Sequence, residues 1–166
     1  KQKLALACAL IHTPELLLLD EPTTGVDPLS RRDFWKTLFG LLQRGITIIM
    51  STPYLDEADR ASRVALMHKG SFLAVETPRR MKDRMEGTII ELAGKDLRGA
   101  SELARKMPDV IEVQAFGERL HLIVSKTQKD LSSVQRRFED VGIAVTHWRQ
   151  IPPSLENVFI FLTRGS

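Results

Sequence analysis

Apolar residues in the first half of the chain fall into blocks that predict alternating strands and helices. Residues 16–20 begin with four leucines and residues 46–50 are mostly aliphatic, so both segments predict buried strands. The segment between them, from Pro28 to about residue 44, has apolar residues at helical spacing: Phe34, Leu38, Leu41 and Leu42. Asp27 is the expected cap of this helix, and Gly45 its expected end. A strand, a crossover helix and a second strand predict a parallel α/β sheet.

The other elements expected before Gly87 are short. In chain order they are a helix at 2–12, a helix at 54–61, a hairpin with strands at 64–67 and 72–75, and a helix that starts at Thr77-Pro78. The first helix is expected to bury a face made of Leu4, Cys8 and Ile11, and to end at Thr13-Pro14.

The pattern changes after Gly87 to that of a small two-layer domain. Its predicted elements are strands at 88–93, 110–116, 119–125 and 143–149, helices at 97–107 and 130–141, and a last amphipathic helix from Leu155 to Thr163. The order β-α-β-β-α-β is that of a ferredoxin-like sandwich. We therefore expect two domains, residues 1–86 and residues 87–166.

The composition is that of an ordinary soluble globular protein and argues against a membrane-spanning or a nucleic-acid-binding protein. The chain has 166 residues, of which 43% are hydrophobic and 27% charged, and no apolar stretch approaches the roughly 20 residues that span a bilayer. The net charge of +3 is spread evenly, with 13 basic and 11 acidic residues in 1–86 against 11 and 10 in 87–166. This balance argues against a nucleic-acid partner. The single Cys8 fits a reducing compartment, and the four histidines show no metal-ligand spacing.

The candidate chemistry lies where the leucine strand ends. Asp20 and Glu21 follow it directly, and because an unpaired carboxylate is costly to bury, they are expected at the strand exit, where open α/β sheets bind ligands. Adjacent carboxylates in this position can hold magnesium and aim a water in phosphoryl transfer. The chain lacks the phosphate-binding loop G-x-x-x-x-G-K-[S/T], since its one Gly-Lys pair at residues 94–95 is preceded by Ile89 where the first glycine belongs.

Three motifs in order give a resemblance to a known family. Residues 16–22 resemble the Walker B motif with its catalytic glutamate, residues 24–27 the D-loop, and residues 51–59 the switch segment of the nucleotide-binding subunit of ATP-binding cassette (ABC) transporters. Residues 1–4 resemble the helix after the family's signature motif. The chain therefore looks like the C-terminal part of such a subunit, without Walker A and signature motifs, and its first domain like a truncated P-loop NTPase core.

The resemblance implies roles for particular residues. Asp20 would help to hold Mg²⁺ through water, Glu21 would be the general base that polarises the attacking water, and Asp27 would reach the partner's site in a head-to-tail dimer. The family's switch histidine, which contacts the γ-phosphate of ATP, aligns with Pro53, which has neither a ring nitrogen nor a backbone donor. Ser51 or Thr52 would then supply the contact, or it is absent. Two interpretations stay open: a weakened site, or a variant switch, which the intact surrounding motif favours.

The tail also resembles part of this family. Residues 155–163 resemble the "L-E-x-x-F-x-x-L-T" ending of ATPases from ABC-2 exporters. This implies a subunit at the cytoplasmic face of the membrane that uses ATP and Mg²⁺ and works as a dimer against transmembrane permease subunits. The chain alone is expected to be inactive. One alternative is a soluble cassette ATPase of translation or DNA repair, and another is a regulatory or dimerising module without catalysis.

The family's sheet order also predicts a gap. It places the phosphate-loop strand, which this chain lacks, between the strands expected at 46–50 and 64–67. For residues 87–166, a packing or dimerising appendage is favoured over a ligand-sensing domain, because nothing in the sequence marks a pocket.

Overall fold

The computed structural model describes residues 2–12, 14–126 and 131–164. Contacts divide the chain into two compact units, residues 1–58 and residues 59–166. The hairpin after residue 63 and the helix after it belong by their contacts to the second unit, while the functional division at residue 86 stays a prediction. Within the described ranges, no helix is long and apolar enough to cross a membrane.

The first unit is built on two parallel strands. Its elements are α1 (Gln2–Ala9), β1 (Leu16–Leu19), α2 (Pro28–Gln43), β2 (Thr47–Met50) and α3 (Leu55–Ala58). β1 pairs with β2 in parallel, with Leu16 opposite Thr47 and Leu19 opposite Met50. Asp27 caps α2 by accepting a hydrogen bond from the backbone N–H of Ser30. Gly45 follows the helix with φ of 86°, a conformation that glycine adopts without steric cost.

The core of the first unit lies on one face of this strand pair. It consists of Leu6, Leu17, Phe34, Trp35, Leu38 and Leu41. The expectation of two fully buried strands is wrong, because Leu16, Leu18 and Ile49 are exposed. Successive side chains of a strand alternate between its faces, and the helical core covers only the face that carries Leu17 and Ile48.

The inner face of α1 was also predicted wrongly. Leu4, Cys8 and Ile11 are exposed, whereas Leu6 is buried and Leu10 packs against the core. Residues 4–11 are apolar all round the helix, so periodicity could not identify the buried side. The helix ends at Ala9 rather than residue 12, and Thr13 of the predicted stop lies outside the described residues. In α2, Leu42 is 45% exposed, against the prediction that it points inward.

The second unit contains two antiparallel sheets. Its elements are β3 (Val64–His68), β4 (Ser71–Glu76), α4 (Pro78–Asp83), β5 (Thr88–Gly94), α5 (Leu97–Ala104), β6 (Val110–Phe116), β7 (Arg119–Val124), α6 (Leu131–Asp140), β8 (Val145–Ile151) and α7 (Leu155–Thr163). β3 pairs with β4, and the four-stranded sheet has the order β6-β7-β5-β8. Against prediction, α5 ends three residues early and β8 lies two residues later. Residue 130 of the predicted sixth helix lies outside the described residues.

One face of the four-stranded sheet carries the core of the second unit. Leu92, Leu122 and Ile90 from the strands pack with Ala100 and Ala104 of α5, and with the α6 side chains Val134 and Phe138. Trp148 of β8 packs edge-on against Phe138, with ring centroids 6.1 Å apart. Both connecting helices therefore lie on this face.

The opposite face of the same sheet carries the buried Ile89 and Ile123 and a polar group centred on Glu91. This carboxylate is 6% exposed, and its Oε1 lies 2.7 Å from Arg119 Nη1 and 2.8 Å from Arg149 Nε. His147 Nε2 is 3.2 Å from the same oxygen. The hydrogen bond from Arg119 and that from Arg149 lower the pKa of Glu91 from 4.5 to about 2, although burial opposes them.

This lowered pKa predicts a loss of stability in acid. Because the pKa of Glu91 is lower in the folded chain than in the unfolded chain, its contribution is complete above about pH 4.5 and is lost as the pH falls towards 2. We expect the free energy of unfolding of Glu91→Gln, measured by urea titration, to depend less steeply on pH in this window. Equal slopes for the two proteins would contradict the assignment.

Helix α7 is held against the face of the sheet that carries Glu91 by buried hydrogen bonds. Asn157 is fully buried. Its Nδ2 donates to Gln114 Oε1 at 2.7 Å and lies 2.9 Å from His121 Nδ1, while its Oδ1 accepts from the backbone N–H of Ser154, the helix cap. Arg164 donates to the carbonyl of Val113 at 3.1 Å. α7 is thus fixed by specific polar contacts as well as by its buried Leu155 and Val158.

Candidate functional site

Asp20 and Glu21 stand exposed at the exit of β1, as the sequence predicts. Glu21 has φ of 43°, a left-handed backbone conformation that residues other than glycine rarely adopt. The chain turns sharply there, and Thr24 closes the turn: its N–H donates to the Glu21 carbonyl at 3.1 Å and its hydroxyl to Glu21 Oε2 at 3.2 Å. The turn places two adjacent carboxylates on solvent at the end of a parallel strand.

Ser51 joins these carboxylates to the end of β2. Its N–H donates to the carbonyl of Leu19 at 2.9 Å, which continues the strand pairing. Its hydroxyl donates to Asp20 Oδ1 at 2.5 Å and accepts from the backbone N–H of Glu21 at 2.9 Å. Asp20, Glu21 and Ser51 therefore form one connected group, although Ser51 lies 30 residues beyond Glu21.

Thr52 and Pro53 continue from Ser51 along the rim of this group. The hydroxyl of Thr52 accepts from the N–H of Tyr54 at 3.1 Å and donates to Glu57 Oε2 at 2.9 Å. Pro53 is exposed and can donate no hydrogen bond. Its side chain thus offers a ligand only apolar contact, and the hydroxyl-bearing residues Ser51 and Thr52 precede it in the chain.

Asp27 is bound within the first turn of α2 and is not part of the hydrogen-bonded group at the strand ends. Its Oδ1 accepts from the N–H of Ser30 at 2.9 Å. Hydrogen bonding to Ser30 lowers the pKa of Asp27 below its ordinary value of 3.8, so this exposed side chain is charged at neutral pH.

A buried carboxylate beside the site was not identified from the sequence. Glu57 is 1% exposed and accepts hydrogen bonds from Thr23 and Thr52. Arg31 Nε lies 3.4 Å from its other oxygen. Glutamate is almost never fully buried unless it is paired, so no local pattern in the sequence predicts this burial.

The chemistry of this donor set fits magnesium bound with a phosphorylated ligand. Mg²⁺ commonly keeps several waters and takes one or two carboxylates together with phosphate oxygens, and Asp20 and Glu21 offer such carboxylates on solvent. In the part of the chain that the structure describes, no group of three or more His, Cys, Asp or Glu side chains could hold a metal ion.

Comparison with known proteins gives a consistent set of relatives. The chain is 34% identical over 168 residues to the daunorubicin resistance ATP-binding protein DrrA2 of Streptomyces coeruleorubidus, covering 98% of this chain and 52% of that protein. It is 38% identical over 165 residues to the Nod factor export ATP-binding protein I of Rhizobium etli, covering 98% of this chain and 50% of that protein. Over 82 residues, or 49% of this chain, it is 46% identical to the probable multidrug ABC transporter ATP-binding protein YbhF of Escherichia coli, covering 14% of that protein.

The chain spans about half the length of the first two of these relatives. No family model matches it.

Proposed function

Because this chain is a homologue of the ATP-binding proteins of ABC transporters, we propose that it forms the C-terminal part of an ATP-hydrolysing subunit that powers a membrane exporter. The observation that carries this proposal is the connected group at the strand ends. Ser51 is hydrogen-bonded to both the Asp20 carboxylate and the backbone of Glu21. Asp20 and Glu21 are both exposed to solvent.

Each site residue has a proposed part in hydrolysis. Asp20 would hold the waters around Mg²⁺, which supplies positive charge to the phosphate oxygens when bound. Glu21 would accept a proton from the attacking water, since its carboxylate is exposed beyond the turn. Asp27 would act at the partner's site in a dimer. The contact that Pro53 cannot make would require the Ser51 or the Thr52 hydroxyl to turn away from the carboxylate to which it now donates.

The finer description of the fold also belongs to this proposal. We assign residues 1–86 to the end of a P-loop ATPase core with a parallel sheet, supported by the parallel pairing of β1 with β2. We assign residues 87–166 to a ferredoxin-like accessory domain. The strand order β6-β7-β5-β8 and the packing of α5 and α6 on one face support this assignment.

The remaining parts of an ATPase site would come from outside this chain. No Walker A sequence is present, so the 166 residues alone are expected neither to bind nor to hydrolyse ATP appreciably. The complete transporter, at the cytoplasmic face of the membrane, would also contain other chain segments, a second ATPase domain and transmembrane permease subunits. Tight binding of Mg-ATP by the 166-residue chain in an equilibrium titration would contradict the expectation that the chain alone does not bind ATP.

The test of the proposal uses the full-length protein that carries this chain. We expect it to release phosphate from ATP in a magnesium-dependent way and to co-purify with a membrane permease. Co-purification with ribosomes or DNA would support the alternative of a soluble cassette ATPase. Absence of turnover with and without the permease would support a module without catalysis.

The role of Pro53 is tested by restoring the histidine of the family pattern. If the site is weakened by proline, Pro53→His in the full-length protein will raise kcat, because an imidazole can donate to a phosphate oxygen. If the hydroxyls of Ser51 and Thr52 serve instead, kcat will not rise. We expect the second result, because the motif around Pro53 is otherwise intact, and Pro53→Ala is the matched control.

A further inference from the structure

Glu57 occupies an unusual position for a carboxylate. It lies in α3, a helix of four residues with exposed Asp56 beside it, yet Glu57 itself is 1% exposed. Burying a charge is unfavourable unless hydrogen bonds and an opposite charge compensate. Its burial therefore requires partners that the rest of the unit supplies.

In both of its hydrogen bonds with threonine hydroxyls, Glu57 is the acceptor. Oε2 accepts from the hydroxyl of Thr23 at 2.8 Å and from that of Thr52 at 2.9 Å. The Thr52 oxygen also accepts from the N–H of Tyr54, so its single hydrogen is committed to Glu57. Both hydroxyl hydrogens therefore point at one oxygen of Glu57.

A cation, Arg31, lies beside the other oxygen of Glu57, and the two facing atoms are buried without a hydrogen bond. Arg31 Nε lies 3.4 Å from Glu57 Oε1, an ion-pair distance. The Arg31 guanidinium lies 4.4 Å from the centre of the Tyr54 ring, in cation–π contact. Arg31 is thus held between α3 and the residue after Pro53, where its charge compensates the buried carboxylate.

These contacts join the two loops of the proposed site. Thr23 lies two residues beyond Glu21, in the turn that leads to Asp27. Thr52 lies between Ser51 and Pro53. Glu57 therefore links the loop that follows β1 to the segment that follows β2 through buried hydrogen bonds. Ser51 links the same two segments through an exposed hydrogen bond to Asp20.

We propose that Glu57 is a positioning residue for ATP hydrolysis, which sets the distance between the Glu21 loop and the Ser51–Pro53 segment. This inference rests on the proposed function. It assigns a role to a residue that is almost fully buried beside the site. With a proline at the switch position, which offers no hydrogen bond of its own, this second link fixes the hydroxyls of Ser51 and Thr52 relative to the catalytic carboxylate.

The test compares Glu57→Gln with Glu15→Gln in the full-length protein, each also measured for its folded fraction. Glutamine keeps the shape of Glu57 but presents an amide N–H₂ either to Arg31 or to the two hydroxyls. A misplacement of about 1 Å can lower a rate by roughly 10²-fold, so we expect kcat to fall at least about tenfold per folded molecule, with KM for ATP nearly unchanged. Glu15→Gln, a change of the same chemistry at an exposed residue before β1, should leave both constants unchanged.

Two further variants keep the inference testable if Glu57→Gln folds poorly. Thr23→Val and Thr52→Val each remove one hydroxyl and keep the side-chain shape. Each should lower kcat, and their combined effect should be smaller than the product of the single effects, because both act through one carboxylate. Effects that simply multiply, or variants that lower stability but not kcat per folded molecule, would overturn the positioning role. Absence of turnover in the unsubstituted protein would instead overturn the proposed function.

Discussion

A full-length protein that carries Glu21→Gln is expected to lose ATP turnover by a factor of about 10² to 10⁴, the usual contribution of a positioned general base. Glutamine has nearly the same shape but cannot accept a proton from water at neutral pH. The backbone N–H that donates to Ser51 is unchanged by the substitution, so Asp20 and Ser51 should stay in place. Phosphate release under single-turnover conditions measures the effect on the chemical step itself.

The control for this experiment is Glu15→Gln, a change of the same chemistry at an exposed residue before β1. Its turnover should equal that of the unsubstituted protein. Equal turnover of Glu21→Gln and Glu15→Gln would show that Glu21 is not the general base. No turnover in any of the three proteins would indicate a degenerate cassette, whose function is to complete a partner's site.

Asn157→Ala is expected to destabilise the second unit by about 3 kcal/mol, because it leaves two buried polar atoms without partners, at about 1–3 kcal/mol each. These atoms are Gln114 Oε1 and His121 Nδ1. Gln114 cannot simply rotate, since its Nε2 donates to Glu112 and to the carbonyl of Asn157. The substitution also removes the acceptor of the Ser154 cap.

The measurement is urea unfolding of the 166-residue chain in a Trp35→Phe background, so that Trp148 alone reports on the second unit. Glu156→Gln, on the exposed neighbour of Asn157, is the matched control and should change the free energy of unfolding by less than about 0.5 kcal/mol. A loss below about 1 kcal/mol for Asn157→Ala would show that water replaces the lost hydrogen bonds.

Much of the local structure was readable from the sequence because its causes are local. The Asp27 cap with Pro28 at the start of α2 was predicted, and the structure has it. The last helix, Leu155–Thr163, was predicted with the bounds that it has. Caps, turn glycines and apolar periodicity depend on residues within one or two helical turns, so a single sequence carries them.

Errors arose where local pattern does not identify the buried side. Leu16 and Leu18 belong to a run of four leucines, which predicts burial on both faces, yet the structure exposes both. Leu4 and Leu6 in α1 are alike in sequence, but only Leu6 meets the core. Which face of an apolar element is covered depends on the elements that pack against it, and the sequence of that element does not contain this information.

The candidate site divides in the same way. The pattern of the chain was enough to predict that Asp20, Glu21, Ser51 and Thr52 follow two strands, and parallel pairing brings the ends of such strands together. The bridge from the Ser51 hydroxyl to Asp20 and the Glu21 backbone, and the burial of Glu57 between Thr23 and Thr52, became visible only in the folded chain. Thr23 and Glu57 are 34 residues apart. Contacts at that separation form because the packing of α2, α3 and the strand ends excludes water there, and a buried carboxylate must then take the hydroxyls and the cation within its reach.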